Sequence, residues 1–217
     1  SDLLALKLID FHGGTLRNAI PREAHIIFAI PADKATQLNS ITTEFEALLK
    51  SELAIAEKNL AIELTDTSTE KPVFTADCQS RTINLLNAMP NGVIRMSDDV
   101  EGVVETSLNV GVVSIVDDKV EILCLIRSLI DSGKTYVVSM LTALAKLAQA
   151  DIETKGGYPG WKPDADSPVM HLVRDTYQQL FDKVPNIMVI HAGLECGLFK
   201  KPYPDMDMVS IGPTIRG

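Results

Sequence analysis

One cation, Arg127, ends the second of two largely apolar runs in this chain. The two runs are rich in valine and isoleucine and flank a turn at residues 117–119, which predicts a β-hairpin within residues 103–132. The strand period places Arg127 on the same face as Leu125, at a strand end next to a helix start. A guanidinium held there can bind a carboxylate or a developing oxyanion, or it can cap the sheet edge and pair with a surface carboxylate. The residues alone leave both interpretations open.

A second set of polar residues follows a short apolar run, residues 187–190, which is typical of a strand buried on both faces. Residues 191–197 then read His-Ala-Gly-Leu-Glu-Cys-Gly and predict a turn from strand to helix. Ligands of open α/β sheets bind at the carboxyl ends of strands and near helix N-termini, and Gly193 would let a substrate approach the backbone. His191 and Glu195 could instead form a hydrogen-bonded structural pair.

Composition limits the classes of partner. The chain has 217 residues, 46% hydrophobic and 23% charged, which is enough for one large or two small domains with real cores. Its net charge of −9 argues against nucleic acid and against an anionic membrane surface as partners. The three cysteines lie far apart and form no CxxC pair, so the sequence predicts neither disulfides nor a thiolate zinc site, and a reducing cytosol fits. No apolar run approaches the ~20 residues that span a bilayer.

The first part of the chain predicts two strands, a helix and a third strand, in that order. The strands are expected at residues 3–9, 24–30 and 60–64, and the helix at residues 33–58. The helix is indicated by apolar residues that recur at steps of three and four: Leu38, Ile41, Phe45, Leu48, Leu49 and Leu53.

The same order of elements returns later in the chain. After a spacer helix at about residues 73–89, the hairpin is followed by a helix at 133–150 and a closing strand at 152–155. We therefore predict an internal duplication of an open-faced α/β sandwich, with two small antiparallel sheets that are each covered by helices on one face. Asn18 and Asn109, which each lead into a strand, support the correspondence between the two copies.

The composition changes again at residues 156–163, where glycine and proline predict a crossing between domains. Ser167 and Pro168 then occupy the favoured cap and first-turn positions of a helix. This helix and the apolar run after it form an α/β unit that is too small to close a sheet core by itself. We therefore expect residues 158–217 to be one part of a domain from a longer protein.

Five segments carry a resemblance to a known family: GGTLRNAIPREA, CLIRSLIDSGK, GGYPGWKPD, HAGLECGLFKKPYPDMDMVSIGP and the terminal IRG. They resemble the cytosolic aminoacyl-histidine dipeptidases of bacteria, which belong to the zinc metallopeptidases that also include carnosinase and the aminoacylases. The resemblance extends along the whole chain. It implies a considerably longer protein, in which a lid domain is inserted into a catalytic domain that binds two zinc ions.

The resemblance implies a mixed fold of helices and strands, which is α/β in the broad sense and α+β in the narrower one. A duplicated ββαβ open-faced sandwich would form the lid, and an α/β segment of an incomplete zinc-peptidase catalytic domain would follow it. The lid would comprise residues 1–157, with one repeat at about 1–64 and the other at about 103–157. Residues 158–217 would be a C-terminal segment of the catalytic domain.

Three residues receive site roles from the resemblance. Asn18 in RNAIP and Arg127 in CLIRS match lid residues that close over the active site and hold the substrate. Gly193 in HAGLE matches a backbone position on the catalytic side that contacts the substrate. The resemblance places no catalytic residue and no zinc ligand of the family within this chain. It assigns no role to three further polar residues: His12, His191 and Glu195.

The resemblance implies that the full-length protein is a cytoplasmic, zinc-dependent dipeptidase for substrates such as Xaa-His. This chain alone is expected to be inactive and to bind no zinc. The expected partners are the dipeptide, the rest of the catalytic domain and a second copy in a homodimer. Two alternatives come from other classes: a regulatory module that binds an amino acid, which duplicated ββαβ units also resemble, and a purely structural dimerisation domain.

Overall fold

The structure is a computed structural model that describes residues 4–157, 159–161, 164, 166–188, 195–200 and 202–212. Its regular elements are, in chain order, β1 (Lys7–Gly13), β2 (Ala24–Ala29), a short 3₁₀ turn (Ala32–Lys34), α1 (Ala35–Glu52), α2 (Ala76–Ala88), β3 (Gly92–Met96), β4 (Val104–Val116), β5 (Lys119–Ser128), α3 (Asp131–Leu147), α4 (Pro168–Phe181) and α5 (Glu195–Lys200). The described strand pairs are antiparallel. The mixed α/β class predicted from the sequence is confirmed.

The five strands form one sheet, in the order β2-β1-β4-β3 with β5 also paired to β4. β5 pairs with β4 from Thr106 to Val116, so it occupies one edge of β4 along that length. The other edge of β4 pairs with β3 from Val104 to Leu108 and with β1 at Val113. The prediction of two separate sheets was wrong, because β4 is 13 residues long and pairs on one edge both with β1, from the first predicted repeat, and with β3, from the segment between the two repeats.

The predicted hairpin is confirmed as β4 and β5. The residues that join the strands, Asp117 and Asp118, have φ angles of 49° and 60°. Two consecutive left-handed residues form a type I′ turn, whose twist matches that of the flanking strands, and aspartate tolerates this conformation better than most residues. Because β5 ends at Ser128, Arg127 lies at a strand end as predicted.

The helices predicted between residues 33 and 150 are present, with ends that differ by a few residues from the predictions. α1 stops at Glu52 rather than at residue 58, and Ile55 beyond it is 92% exposed, so no apolar burial would hold another turn. α2 begins after Thr75, whose side chain accepts a hydrogen bond from the Cys78 N–H. α3 ends shortly before Gln149, whose φ of 54° is left-handed and typical of a helix C-terminus.

The predicted strand at residues 60–64 does not form. The backbone N–H of Ile62 bonds to the Glu46 carboxylate of α1, and the N–H of Leu60 bonds to the carbonyl of Glu57. These donors are therefore satisfied outside a strand ladder, which removes the reason for pairing.

The predicted strand at residues 152–155 does not form either. This segment is exposed along its length, and Lys155 pairs with Glu153 at 2.8 Å. With no buried apolar face, the segment gains little from joining the sheet. The first strand, predicted at residues 3–9, is instead Lys7–Gly13, because its pairing with β2 covers those residues.

Helices cover one face of the sheet. α3 packs on β4 and β5, and α2 packs on β1 and beside α3. The approach of α3 is close, since a Cβ added to Gly133 would lie 2.5 Å from the hydroxyl oxygens of Thr106 and Ser128. Val137 of α3 and Leu108 of β4 are fully buried between the two layers. Thr106 and Leu108 therefore face α3, and the residues between and beside them on β4 face the other way.

The helix predicted to begin at Ser167 is confirmed as α4. The Ser167 hydroxyl accepts from the Met170 N–H and donates to the Asp207 carboxylate at 2.6 Å. Asp207 also accepts from the Val169 N–H at 2.8 Å. These hydrogen bonds, that of Ser167 first, lower the pKa of Asp207 below its usual value. The start of α4 is thus held by a carboxylate from a distant part of the chain.

Candidate functional site

Arg127 lies on the side of the sheet opposite α3. Across the β4–β5 ladder it pairs with Ser107, while the neighbouring pair of Thr106 and Ser128 faces the helix. We call the side opposite α3 the Arg127 face. Arg127 is half-buried there, which is common for a side chain that has an apolar stem and a charged head.

Asn18 lies in the loop that joins β1 to β2, residues 14–23, which we call the Asn18 loop. The Gly14 N–H bonds to the Glu23 carbonyl at 3.1 Å and closes the base of the loop. At its tip the Ala19 N–H bonds to the Leu16 carbonyl at 3.1 Å, so Asn18 sits inside a tight turn. Its side chain is exposed to solvent.

The structure brings the Asn18 loop and Arg127 onto the same face. Asn109 of β4 donates its side-chain amide to the carbonyls of Arg17 and Ala19, at 2.8 Å each. Asn109 pairs with Leu125 in the ladder and Ser107 pairs with Arg127, so Asn109 and Arg127 are diagonal neighbours on one side of the sheet. Diagonal neighbours in an antiparallel pair are about 7–8 Å apart. The turn that carries Asn18 is therefore attached to the diagonal neighbour of Arg127.

The sequence predicts that Asn109, the counterpart of Asn18, leads into a strand. In the structure Asn109 lies in the middle of β4, within Val104–Val116. The missed signal was an asparagine inside a valine-rich strand, because asparagine is depleted in strands unless its side chain has a specific partner.

Cys124 of β5 lies on the side of the sheet that faces α3, opposite Arg127. Burial raises the pKa of the Cys124 thiol to about 11. The thiolate is the reactive form of cysteine, so this side chain stays a neutral thiol at physiological pH.

A cleft of 510 Å³ lies where the sequence predicts the crossing between domains. Gly156 and Gly157 line this cleft. Their φ angles are 69° and 141°, and a Cβ added to either residue would meet no atom within 4 Å. Gly160 is fixed, since its N–H bonds to the Asp131 carboxylate at 2.9 Å and a Cβ there would lie 2.5 Å from the Leu129 carbonyl. The crossing therefore begins at two glycines with open space around them and ends at a glycine that is tightly packed.

The remaining predicted site residues differ in how far the structure describes them. Gly193 and His191 lie outside the described residues. Glu195 is the exposed first residue of α5, and His12 pairs with His25 across β1 and β2. Within the described part of the chain, no group of three or more His, Cys, Asp or Glu residues could hold a metal ion. In that same part, no helix is both long and apolar enough to cross a membrane.

The chain is similar in sequence and in fold to known peptidases. A family described as a peptidase dimerisation domain matches residues 2–57. The chain is 66% identical to the cytosol non-specific dipeptidase of Escherichia coli strain K12 over 214 residues, which is 99% of this chain and 44% of that protein. It also matches the crystal structure of the aminoacylhistidine dipeptidase from Vibrio alginolyticus with a TM-score of 0.93 and 56% identity, over 100% of this chain and 44% of that one. The chain thus spans less than half the length of these relatives, and its resemblance to the aminoacyl-histidine dipeptidases is confirmed.

Proposed function

We propose that this chain is the lid and part of the catalytic domain of a cytoplasmic, zinc-dependent dipeptidase that hydrolyses dipeptides such as Xaa-His. Residues 1–157 form the lid in this proposal, and residues 158–217 belong to the catalytic domain. The observation that carries the proposal is the placement of the Asn18 loop beside Arg127, in a chain whose relatives are named dipeptidases.

The two lid residues supply complementary binding groups. The Arg127 guanidinium can form two parallel hydrogen bonds to a carboxylate, or bind a carbonyl oxygen as negative charge develops on it. Asn18 offers both a donor and an acceptor from an exposed turn. In the proposal these groups bind the dipeptide from the lid side, and the backbone at Gly193 contacts it from the catalytic side. The lid opens and closes at the crossing near Gly156 and Gly157, because substrates must enter and products must leave.

Zinc belongs to the part of the protein outside this chain in the proposal. When bound in such a peptidase, zinc would lower the pKa of a water molecule that it binds to about 7. The described residues offer no group of three ligands for it. In the proposal the lid therefore binds the substrate, and the remainder of the catalytic domain carries out the metal chemistry.

The exposed side of α4 supports a neighbour from that remainder. Leu172 and Leu180 lie on the side of α4 that the sequence marks as apolar, and they are 65% and 70% exposed. Helices with such a stripe normally bury it against a sheet or another helix. We propose that the rest of the catalytic domain covers this side.

The proposal predicts opposite behaviour for the full-length protein and for this chain. The full-length protein should hydrolyse Xaa-His dipeptides, lose that activity to a chelator and regain it with zinc. This chain alone, purified without a tag, should hydrolyse no dipeptide and retain no stoichiometric zinc by elemental analysis. Calorimetric titration of the chain with free amino acids should show no appreciable binding. Zinc retained at one equivalent, or tight binding of an amino acid, would contradict the proposal, the latter in favour of a regulatory module.

A second proposed role is homodimerisation through α1. Ile41, Phe45 and Leu48 recur at helical spacing on α1 and are 38%, 51% and 51% exposed. α1 lies within the segment that matches a peptidase dimerisation domain. An apolar stripe of this kind on a helix is typical of an interaction surface.

The dimer proposal predicts that Phe45→Glu shifts the full-length protein from dimer to monomer in light scattering, because a charge would be buried in the interface. Thr43→Glu adds the same charge at an exposed position on a different side of α1 and should leave the dimer intact. A monomeric wild-type protein, or equal effects of the two substitutions, would exclude α1 as the interface.

A further inference from the structure

A side chain from the second predicted repeat, that of Asn109, holds the turn that carries Asn18. The Asn109 amide nitrogen has two hydrogens, and they are donated to the carbonyls of Arg17 and Ala19 at 2.8 Å each. These are the carbonyls immediately before and after Asn18. Both sides of the turn are thereby tied to β4, about ninety residues away in sequence.

The backbone of the Asn18 loop also rests directly on β4. A Cβ added to Gly111 would lie 2.5 Å from the Arg17 α-carbon and 2.6 Å from the Arg17 carbonyl oxygen. The register shifts between Val110 and Val112, so Gly111 is the extra residue of a β-bulge. Gly14 approaches the same point, since a Cβ added to Gly14 would lie 2.0 Å from the Gly111 carbonyl oxygen. Glycines and a bulge thus let the loop settle where Asn109 can reach it.

The ladder register links this attachment to Arg127. Asn109 is the diagonal neighbour of Arg127 on the Arg127 face. We infer that Asn109 is a positioning residue that holds the Asn18 turn at a fixed place relative to Arg127, so that both groups can bind one dipeptide. The inference rests on the proposed function, in which Asn18 and Arg127 contact the substrate. Asn109 itself acts through Asn18, because its amide hydrogens are occupied by the turn.

Loss of this attachment should impair catalysis more than folding. A shift of about 1 Å in a group that contacts the reacting substrate can lower the rate by about 100-fold. If Asn18 binds developing charge, the loss appears in kcat rather than in KM, since ground-state binding changes less. In the full-length enzyme we expect Asn109→Ala to lower kcat/KM by about 10- to 100-fold, mainly through kcat.

Asn91 provides a matched control. Its side-chain oxygen accepts from the Val110 N–H at 2.9 Å, one residue from Asn109, and it makes none of the bonds to the Asn18 loop described above. Asn91→Ala should lower the melting temperature to a similar extent as Asn109→Ala and leave kcat/KM unchanged. Equal losses of kcat/KM in the two variants would make Asn109 a purely structural residue and overturn the inference.

A double-mutant cycle separates this inference from the proposed function. If Asn109 acts through Asn18, then Asn109→Ala should have almost no further effect on kcat/KM once Asn18→Ala is present. Additive losses would overturn the positioning role while leaving the role of Asn18 intact. If Asn18→Ala alone leaves kcat/KM unchanged, the proposed function of Asn18 fails, and the inference fails with it.

Asn109→Asp covers the case in which Asn109→Ala does not fold. The introduced side chain has the same size, but as a carboxylate it would repel the two carbonyl oxygens, and when protonated it could donate one hydrogen bond. Its kcat/KM relative to wild type should therefore rise as the pH falls toward the range in which an aspartate is protonated, about pH 4. A ratio that stays constant across the pH range would contradict the positioning role.

Discussion

Replacing Arg127 with alanine in the full-length enzyme is expected to lower kcat/KM by about 10²- to 10³-fold, the usual cost of removing one donor that binds charge in a transition state. The expectation depends on the position of Arg127 at the end of β5, beside the diagonal neighbour that holds the Asn18 turn. Steady-state kinetics with an Xaa-His dipeptide would measure the loss.

Lysine should rescue this loss poorly. It keeps the positive charge but lacks the planar fork that forms two parallel hydrogen bonds to a carboxylate or binds a carbonyl oxygen from a fixed direction. We therefore expect Arg127→Lys to remain closer to Arg127→Ala than to the wild type in kcat/KM.

Stability separates this catalytic role from a structural one. Arg127 is half-buried, so its removal should cost on the order of 1 kcal/mol of unfolding free energy through lost packing of its side chain. Arg81 is a suitable control, because it bonds to the Ala148 carbonyl and to Asp77, away from the Arg127 face. Arg81→Ala should lower the melting temperature and spare kcat/KM. If Arg127→Ala behaves like Arg81→Ala, the arginine is a structural residue of the sheet edge.

Local patterns in the sequence were sufficient for the hairpin and the helices. The two valine-rich runs pair with each other and are joined by a turn at Asp117 and Asp118. The hairpin therefore forms without help from a distant residue. Thr75 and Ser167 likewise mark helix starts through bonds within one turn.

The missing closing strands show where local patterns fail. Leu60, Ile62 and Leu64 alternate as a strand would, but a ladder needs a partner with free backbone groups. The Ile62 N–H bonds instead to a carboxylate of α1, which periodicity does not reveal. The single sheet was missed for a similar reason, because the length of β4 decides how many strands it accepts on one edge.

The candidate site was predictable to different degrees. Arg127 stood out as a cation at the end of an apolar run, whereas Asn18 drew attention through the resemblance of its segment and its likeness to Asn109. The attachment of the Asn18 turn by Asn109 was not predictable, because the acceptors are backbone carbonyls that every residue carries. The role of Gly193 stays a prediction.

Gly111 offers the second large effect, since alanine there should displace the Asn18 loop. The added Cβ would lie 2.5 Å from the Arg17 α-carbon, whereas ordinary contacts begin at 3.4 Å, and the obstructing atoms belong to the backbone. The loop must therefore move by about 1 Å, a displacement that can cost about 100-fold in rate. We expect Gly111→Ala to lower kcat/KM by about that factor in the full-length enzyme.

Gly13 is the matched control for this substitution. It lies at the end of β1 just before the Asn18 loop, and a Cβ there would make an ordinary contact of 3.5 Å with Ala24. Gly13→Ala should therefore keep wild-type kcat/KM and a similar melting temperature. Combining Gly111→Ala with Asn18→Ala should give no greater loss than Asn18→Ala alone, because the displaced group would already be absent. If Gly111→Ala instead retains full kcat/KM, the position of the Asn18 loop on β4 is irrelevant to catalysis, and the substrate contacts proposed for the lid must come from other residues.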